Sequence, residues 1–427
     1  MSWTHFKLSA LIPPDQEALL DRLMLFFAFL IGFFPPLSNS ATYIASGGFA
    51  LFWVLQILTQ KKRWRPSPTP LDQPIVFFMA IWLFSALLST HPLKSLGTLP
   101  SQMHFFVFYL LVYACGGRYI PTAFRGYLAG AGVAVLYGLS QWVFLFWICK
   151  SGYPDWFYHL SEKTQSYIGL TGDNRIHGAV NPLTYAETIL PFFFFSTASW
   201  LESKGVAQHI LWLSASFLAG AALLCAHTRG PWIAALAGVG VMGLLHRRRL
   251  LLILPLILLI PITTYNVAAR RNVMSFLELD TNRNVQARMA LWRGGIYIAR
   301  RHLLHGVGPG QTKAADEQYK VRPDYTPNPP NLAGDLHNLF LQHLAERGIP
   351  GMACILWILI SFILISWRAY KWGPTGISLG LLASFITFPI INLTERAFED
   401  AEVALAFWIL TAVAVRLSQK ESAKTFN

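Results

Sequence analysis

Four positions in this chain join a residue type to a setting in which chemistry at a membrane surface can occur. His337 opens the run Asp335-Leu-His-Asn-Leu-Phe-Leu-Gln-His-Leu-Ala-Glu-Arg-Gly-Ile-Pro350. Imidazole titrates near neutrality, as a general base requires. Arg229 lies in Ala226-His-Thr-Arg-Gly-Pro-Trp232, a turn between two apolar runs. An arginine so near a bilayer is costly unless it is paired or faces a polar cavity. Its planar fork can hold a phosphate through two hydrogen bonds. Arg288 stands one turn before Trp292 and could offer a second guanidinium to the same anion. Arg175 opens Arg175-Ile-His-Gly-Ala-Val-Asn-Pro-Leu-Thr-Tyr185, where His177 and Tyr185 are further candidate substrate-binding groups. Each has a plainer reading. Arg229 would snorkel to an interface, Arg288 would lie on a solvated helix face, and a lone histidine is more often structural. Asn181 and Tyr185 would cap a helix and anchor it at the interface.

Taken together, the arginines suit a pyrophosphate, with His337 beside it. A departing diphosphate needs its charge neutralised as the bond to it breaks. Metal ions often do this, and two arginines can do it instead. No phosphate-binding loop, H-E-x-x-H, G-x-S-x-G or magnesium-spaced acidic cluster occurs. Gly306-Val-Gly-Pro-Gly310 follows no strand pattern, so it is not a dinucleotide fingerprint. The expectation is a site with no metal and no cofactor.

The elements that would position these residues are membrane helices. Of the 427 residues, 54% are hydrophobic and 13% charged. Soluble domains carry about 25% charged residues. Repeated apolar runs of about 20 residues each predict an all-α polytopic membrane protein. The net charge of +13 reads as loop asymmetry and anionic lipid contact, with no nucleic acid partner. The four cysteines, Cys115, Cys149, Cys225 and Cys354, lie in or beside apolar runs without ligand spacing and read as inert thiols. No removable signal segment precedes the first run.

About twelve spans are expected, at 18–36, 41–59, 74–90, 101–117, 121–149, 180–200, 206–225, 230–246, 249–265, 350–368, 375–394 and 401–417. Lys61-Lys62-Arg63-Trp64-Arg65, Arg118 with Arg125, Arg247-Arg248-Arg249, Arg368 with Lys371, and Arg416, Lys420 and Lys424 then share one side. That side is the cytoplasm, with both termini. The alternate short loops, 37–40, 91–100 and 395–400, carry only Lys94 and Arg396. Residues 1–427 read as one membrane domain. Its largest loop, 266–349, precedes the tenth span on the exported side.

That loop holds eleven Lys and Arg between Arg270 and Arg347. Topology does not require this, because long loops translocate whatever their charge. An anionic ligand would account for it. Within the loop, 284–301 has helical spacing, with Met289, Trp292, Ile296 and Ile298 as its apolar residues. It ends at the glycine turn 306–310, which permits close backbone approach. The proline-rich stretch 321–331 reads as a lid or a mobile loop. In the His337 run, Leu336, Phe340, Leu341 and Leu344 make one apolar stripe, with His337, Asn338, Gln342 and Glu346 off it. This predicts a short amphipathic helix at the membrane surface, with His337 in its first turn and a stop at Gly348 and Pro350. Glu346 is the only group in view to orient the imidazole.

Three signatures in order resemble the O-antigen ligase family, which shares its C-terminal domain with O-antigen polymerases. They are Ala226-His-Thr-Arg-Gly; Arg288-Met-Ala-Leu-Trp with Gly306-Val-Gly-Pro-Gly; and His337-Asn-Leu-Phe-Leu-Gln with Glu346-Arg-Gly-Ile-Pro-Gly. Leu303-Leu304-His305 stands where a proline usually precedes the glycine turn, and His227 stands where the family is small or hydroxylic. The resemblance implies a metal-independent, inverting membrane glycosyltransferase at the periplasmic face of the bacterial inner membrane. Its donor would be a glycan on undecaprenyl pyrophosphate, and its acceptor a lipid A–core hydroxyl. By matched position Arg229 and Arg288 would bind the pyrophosphate, and His337 would activate the acceptor hydroxyl. An O-antigen polymerase using the same donor, transfer to a protein or other acceptor, and a transporter or flippase of lipid-linked sugars are the alternatives.

Overall fold

The computed structural model describes residues 14–60, 68–144, 159, 175–246, 283–319, 335–373 and 375–419, and these are helical without a strand. The helices are α1 Pro14–Phe33, α2 Asn39–Gln60, α3 Asp72–Leu87, α4 Pro92–Leu96, α5 Leu99–Gln102, α6 Phe106–Tyr113, α7 Ile120–Val143 and α8 Pro182–Glu202. They continue as α9 Val206–Cys225, α10 Arg229–Leu245, α11 Arg283–Arg301, α12 Thr312–Tyr319, α13 Leu339–Trp372, α14 Gly376–Asn392 and α15 Ala401–Ser418. Four of them, α2, α9, α13 and α15, are long and apolar enough to cross a membrane. The segments 72–87, 99–113, 229–245 and 376–392 are shorter apolar helices. An all-helical set of this kind suits a polytopic membrane protein, since helices satisfy their backbone groups internally. Of the expected spans, 249–265 lies outside the described residues, as do the proline-rich stretch 321–331 and the basic clusters at 61–65 and 247–249.

Burial separates central helices from peripheral ones. Helices α8 and α15 are buried along almost their whole length, while α2 turns much of its surface outward. Helix α8 packs on α9 and α14, and α15 packs on α13, α6 and α7. Phe388 of α14 stacks on Phe407 of α15. The α1–α7 crossing depends on Gly126 and Gly130 of α7. A Cβ on either would come within 2.1 Å of a carbonyl oxygen of α1. Small residues four apart let two backbones touch where the surrounding solvent is itself apolar. Cys225 and Cys354 are free and buried, as their neighbours suggested.

The elements of the 266–349 segment depart from expectation in three ways. Helix α11 matches the predicted 284–301 to within a residue, yet its apolar residues divide. Leu291, Ile298 and Ala299 are buried, while Met289 and Ile296 point outward. In the His337 run, the helix starts at Leu339, so His337 lies before it at φ 46° rather than in its first turn. Asn338 caps the helix by accepting from the Leu341 amide (2.9 Å), and this sets the start. The polar side of that helix does not face water. Gln342, His343, Glu346 and Arg347 are all buried. The amphipathic surface helix of the sequence reading is therefore corrected to one packed on both sides. The break falls where expected, at Gly348 (φ 68°), and the chain resumes as helix at once with Pro350 in the first turn.

The glycine turn 306–310 is the joint that holds these parts together. Val307 and Gly308 amides donate to the carbonyls of Ala345 and Glu346 (3.0 and 2.9 Å). The Ser85 hydroxyl of α3 reaches the carbonyls of His305 and Glu346. Gly306 has φ 69°, and a Cβ there would lie 2.0 Å from the Glu346 carbonyl carbon. Close approach of backbones, not of a ligand, is what this turn requires.

Candidate functional site

The site forms where α11, the start of α13, the start of α10 and the loop 393–400 between α14 and α15 meet. The loop is docked on α13 by main-chain bonds. The Leu339 amide donates to the Glu395 carbonyl (3.1 Å), and the Asn338 side-chain amide donates to the Leu393 carbonyl (2.7 Å). This places the Glu395 carboxylate between the Arg288 guanidinium and the His337 imidazole. One oxygen pairs with the Arg288 guanidinium, and the other lies 3.0 Å from His337 Nδ1. The carboxylate is 7% exposed and the imidazole 41%. The sequence reading offered Glu346 as the only partner for His337. That expectation is corrected, because Glu346 bonds Gln342 (2.6 Å) and belongs to a separate network.

The geometry assigns the tautomer. A carboxylate oxygen accepts, so Nδ1–H donates to Glu395; in the neutral ring Nε2 is then the bare nitrogen, and the ring is half open to solvent. The position of the ring is fixed further by the His337 amide, which donates to Asp335 Oδ1 (2.8 Å). The hydrogen bond to Glu395 raises the His337 pKa above its ordinary value; burial opposes this, and Asp335 adds to it. Arg288 is set by the helix it stands on. Trp292, one turn later, donates from its indole to the Leu336 carbonyl (3.0 Å) and ties α11 to the residue before His337.

Arg229 is the first residue of α10, whose N-terminus carries partial positive charge. It is close enough to Arg288 for the two guanidinium groups to repel one another. A Cβ on the adjacent Gly230 would lie 3.1 Å from Thr394 Oγ1, which puts the α10 start against the Glu395 loop. Arg229, Arg288 and His337 thus converge, although 108 residues of sequence separate the first from the last. Two guanidinium groups and a helix N-terminus make a local field that attracts an anion.

Arg175, His177 and Tyr185 are placed differently. Arg175 Nε donates to the Ala226 carbonyl (3.0 Å) and Ile176 N to the Cys225 carbonyl (3.2 Å), so this segment braces the turn that carries Arg229. His177 is buried, with Nδ1 3.1 Å from the Val180 carbonyl and its amide bonded to Gln141. Tyr185 is fully buried, and its hydroxyl donates to the Ala134 carbonyl of α7 (3.2 Å). Asn181 caps α8 through Leu183 and Thr184.

A second polar network lies behind the site. Arg347, almost wholly buried, donates to His343 Nδ1 (2.7 Å) and to Gln102 (3.1 Å), and lies 3.6 Å from Glu399. Arg396 Nε pairs with Glu399 (2.9 Å). Burial alone would raise the Glu399 carboxyl, but Arg396, His343 and Arg347 outweigh it and hold it at about 2. Stability from a depressed carboxyl is present above its ordinary pKa and is lost only as pH falls through the folded value. The loop that carries Glu395 is therefore anchored across the neutral range. Glu187 of α8 is also fully buried, with Glu395, Asp400 and Arg288 as its charged neighbours.

Glu395 is the residue that sequence reasoning missed. The available signal was Glu395, Glu399, Asp400 and Glu402, four acids in eight residues, opposite a strongly basic loop. A pH experiment isolates its effect. A general base must be neutral, so any activity in which His337 takes a proton should rise with pH through its raised pKa. Glu395→Gln removes the main cause of that rise, so the acid limb of the pH–rate profile should move to lower pH while the maximum falls. An unmoved limb would detach Glu395 from His337.

A family model described as O-antigen ligase matches residues 214–356, about a third of the chain. The resemblance drawn from the three signatures is borne out over this segment. The match contains Arg229, Arg288, the glycine turn and His337, and it stops short of Glu395. It supports the ligase and polymerase family of membrane glycosyl-transferring enzymes without separating the two. No curated protein matches the chain.

Proposed function

We propose that this protein transfers O-antigen polysaccharide from undecaprenyl pyrophosphate to a hydroxyl of lipid A–core, at the periplasmic face of the bacterial inner membrane. The observation that carries the reading is the Arg288–Glu395–His337 chain with Arg229 beside it. In the proposed step the acceptor oxygen attacks the anomeric carbon directly and inverts it. His337 Nε2 takes the hydroxyl proton, while Nδ1–H stays bonded to Glu395. The glycosidic bond to the carrier breaks, and the undecaprenyl pyrophosphate leaves with the bonding electrons. Arg229 and Arg288 neutralise the charge that builds on its oxygens. Arg175 would act by bracing the Arg229 turn, and His177 and Tyr185 by holding that segment against α7. Twelve spans, cytoplasmic termini and an exported 266–349 loop are parts of the same proposal.

A polymerase would use the same donor and the same three residues, but its acceptor would be a lipid-linked glycan. A transporter is less favoured because the buried ionic groups His343, Glu346, Arg347 and Glu395 cluster around the start of α13 and the 393–400 loop, as a single site would have them. The deciding experiment is transfer with purified protein, lipid-linked glycan and defined lipid A–core. Glycosylated lipid A–core is the expected product. Lengthened glycan that stays on the lipid carrier would make the protein a polymerase, and no product with either acceptor would remove the transferase reading. The two arginines supply the charge neutralisation, so transfer should persist in excess EDTA. Strict dependence on a divalent cation would overturn that part.

A further inference from the structure

Helix α11 has two apolar faces, and among the described residues only one is covered. Leu291, Ile298 and Ala299 are buried, and Gly295 lies against Leu336. At 100° per residue the opposite side carries Met289 and Ile296, seven residues apart and 45% and 37% exposed. Leu303 and Leu304, in the turn that follows α11, are also exposed, at 44% and 76%. Next to this apolar file runs a basic one, Arg293 and Arg300, also seven apart and exposed. Tyr297 and Arg301 complete the outer face, the guanidinium lying 3.6 Å above the ring. No acidic residue occurs from 283 to 305.

The turn after α11 is tied to α13. The Ile349 amide donates to the Leu303 carbonyl (2.8 Å). Ile349 is the first residue after the break at Gly348 and is itself exposed. From there α13 exposes Leu356, Trp357, Ile360 and Leu364 in succession. The turn that ends α11 is thus joined to the first exposed residue of an apolar run long enough to cross a bilayer. An apolar file beside a basic file is the pattern that binds an anionic lipid surface. The apolar side chains enter the acyl boundary, and the arginines stay among the phosphates.

We propose that the outer face of α11 and the turn after it lie in the headgroup layer of an anionic leaflet, with Met289, Ile296, Leu303 and Leu304 toward the acyl chains and Arg293 and Arg300 on lipid phosphates. The occupant is the phospholipid surface itself. This rests on the membrane reading of the chain and holds whichever glycan or acceptor the site uses. Its consequence is that Arg288, on the inner edge of the same helix, is held at headgroup level, where a lipid-borne diphosphate would sit.

The test uses the full-length protein in vesicles of phosphatidylcholine alone or with phosphatidylglycerol. The photocrosslinking residue p-benzoylphenylalanine is placed in turn at Ile296, Leu304 and Ile360, the last as the reference for lipid contact. The expected result is phospholipid adducts at all three positions. At Ile296 the yield should rise several-fold with phosphatidylglycerol, and R293Q/R300Q should abolish that rise. Adducts at Ile360 without any at Ile296 and Leu304 would overturn the proposal. So would crosslinks from Ile296 to a second copy of the chain, or a phosphatidylglycerol effect that survives R293Q/R300Q. Failure at Ile360 as well would instead remove the membrane reading on which the proposal stands.

Discussion

His337→Ala is expected to lower glycan transfer by about 10²–10⁴-fold, the usual contribution of a positioned general base, with wild-type amounts of protein in the membrane. The structure explains why folding should survive. The imidazole is 41% exposed, and Glu395 keeps its ion pair with Arg288 when the ring is gone. A companion substitution separates proton removal from positioning. His337 sits at φ 46°, a conformation that asparagine tolerates better than most residues. His337→Asn keeps a donor for Glu395 and a polar group beside the acceptor, but it cannot take a proton near neutrality. It should be as impaired as His337→Ala. Near-normal transfer by His337→Asn would mean that the residue only positions the hydroxyl.

The second large effect is expected at Arg288. Arg288→Ala should cost about 10²–10³-fold, the scale of losing one preorganised donor to a developing negative charge. Arg288→Lys should recover little of that loss. A guanidinium can hold Glu395 with one edge and a phosphate oxygen with another, whereas an ammonium is a point charge without that fork. The lysine variant also loosens the carboxylate that orients His337, so two parts of the site fail together. Rates measured against concentration of the lipid-linked donor would read this as a fall in kcat with or without a rise in KM. Full activity in Arg288→Lys would show that charge alone matters at this position.

The reading from sequence and the structure agree where the signal is local. Apolar runs marked the helices, and the loop helix at 283–301 was predicted to within a residue. Glycines at 306–310 foretold a close backbone approach, which proved to be against Glu346. Arg229, Arg288 and His337 could be picked out because each combines an unusual residue type with an exposed span end or loop. Glu395 could not be assigned in this way. It contacts His337 from 58 residues away and Arg288 from 107, across a long helix and its return. No periodicity connects such positions. For the same reason spacing alone reads the polar side of the Leu339 helix as a solvated face. Charged residues at helical spacing look alike whether they meet water or, like Arg347 with Gln102, His343 and Glu399, meet one another.

Sequence by itself determined the membrane-protein class of this chain and the place of most of its described helices, and it picked out the ionisable groups of the proposed site. These follow from composition and short-range spacing, because burial in lipid and helix formation are decided over about 20 residues. Tertiary structure alone decided which of those groups meet. Asn338 takes the cap and leaves His337 outside the helix. The 393–400 loop folds back on that cap and brings Glu395 to its ring. Packing on Leu336 then chooses which face of α11 turns inward, carrying Arg288 to the site and leaving Met289 and Ile296 outside. Each of these is a contact between segments far apart in the chain. Its strength depends on burial and shape at the point of meeting, and neither exists until the helices have packed.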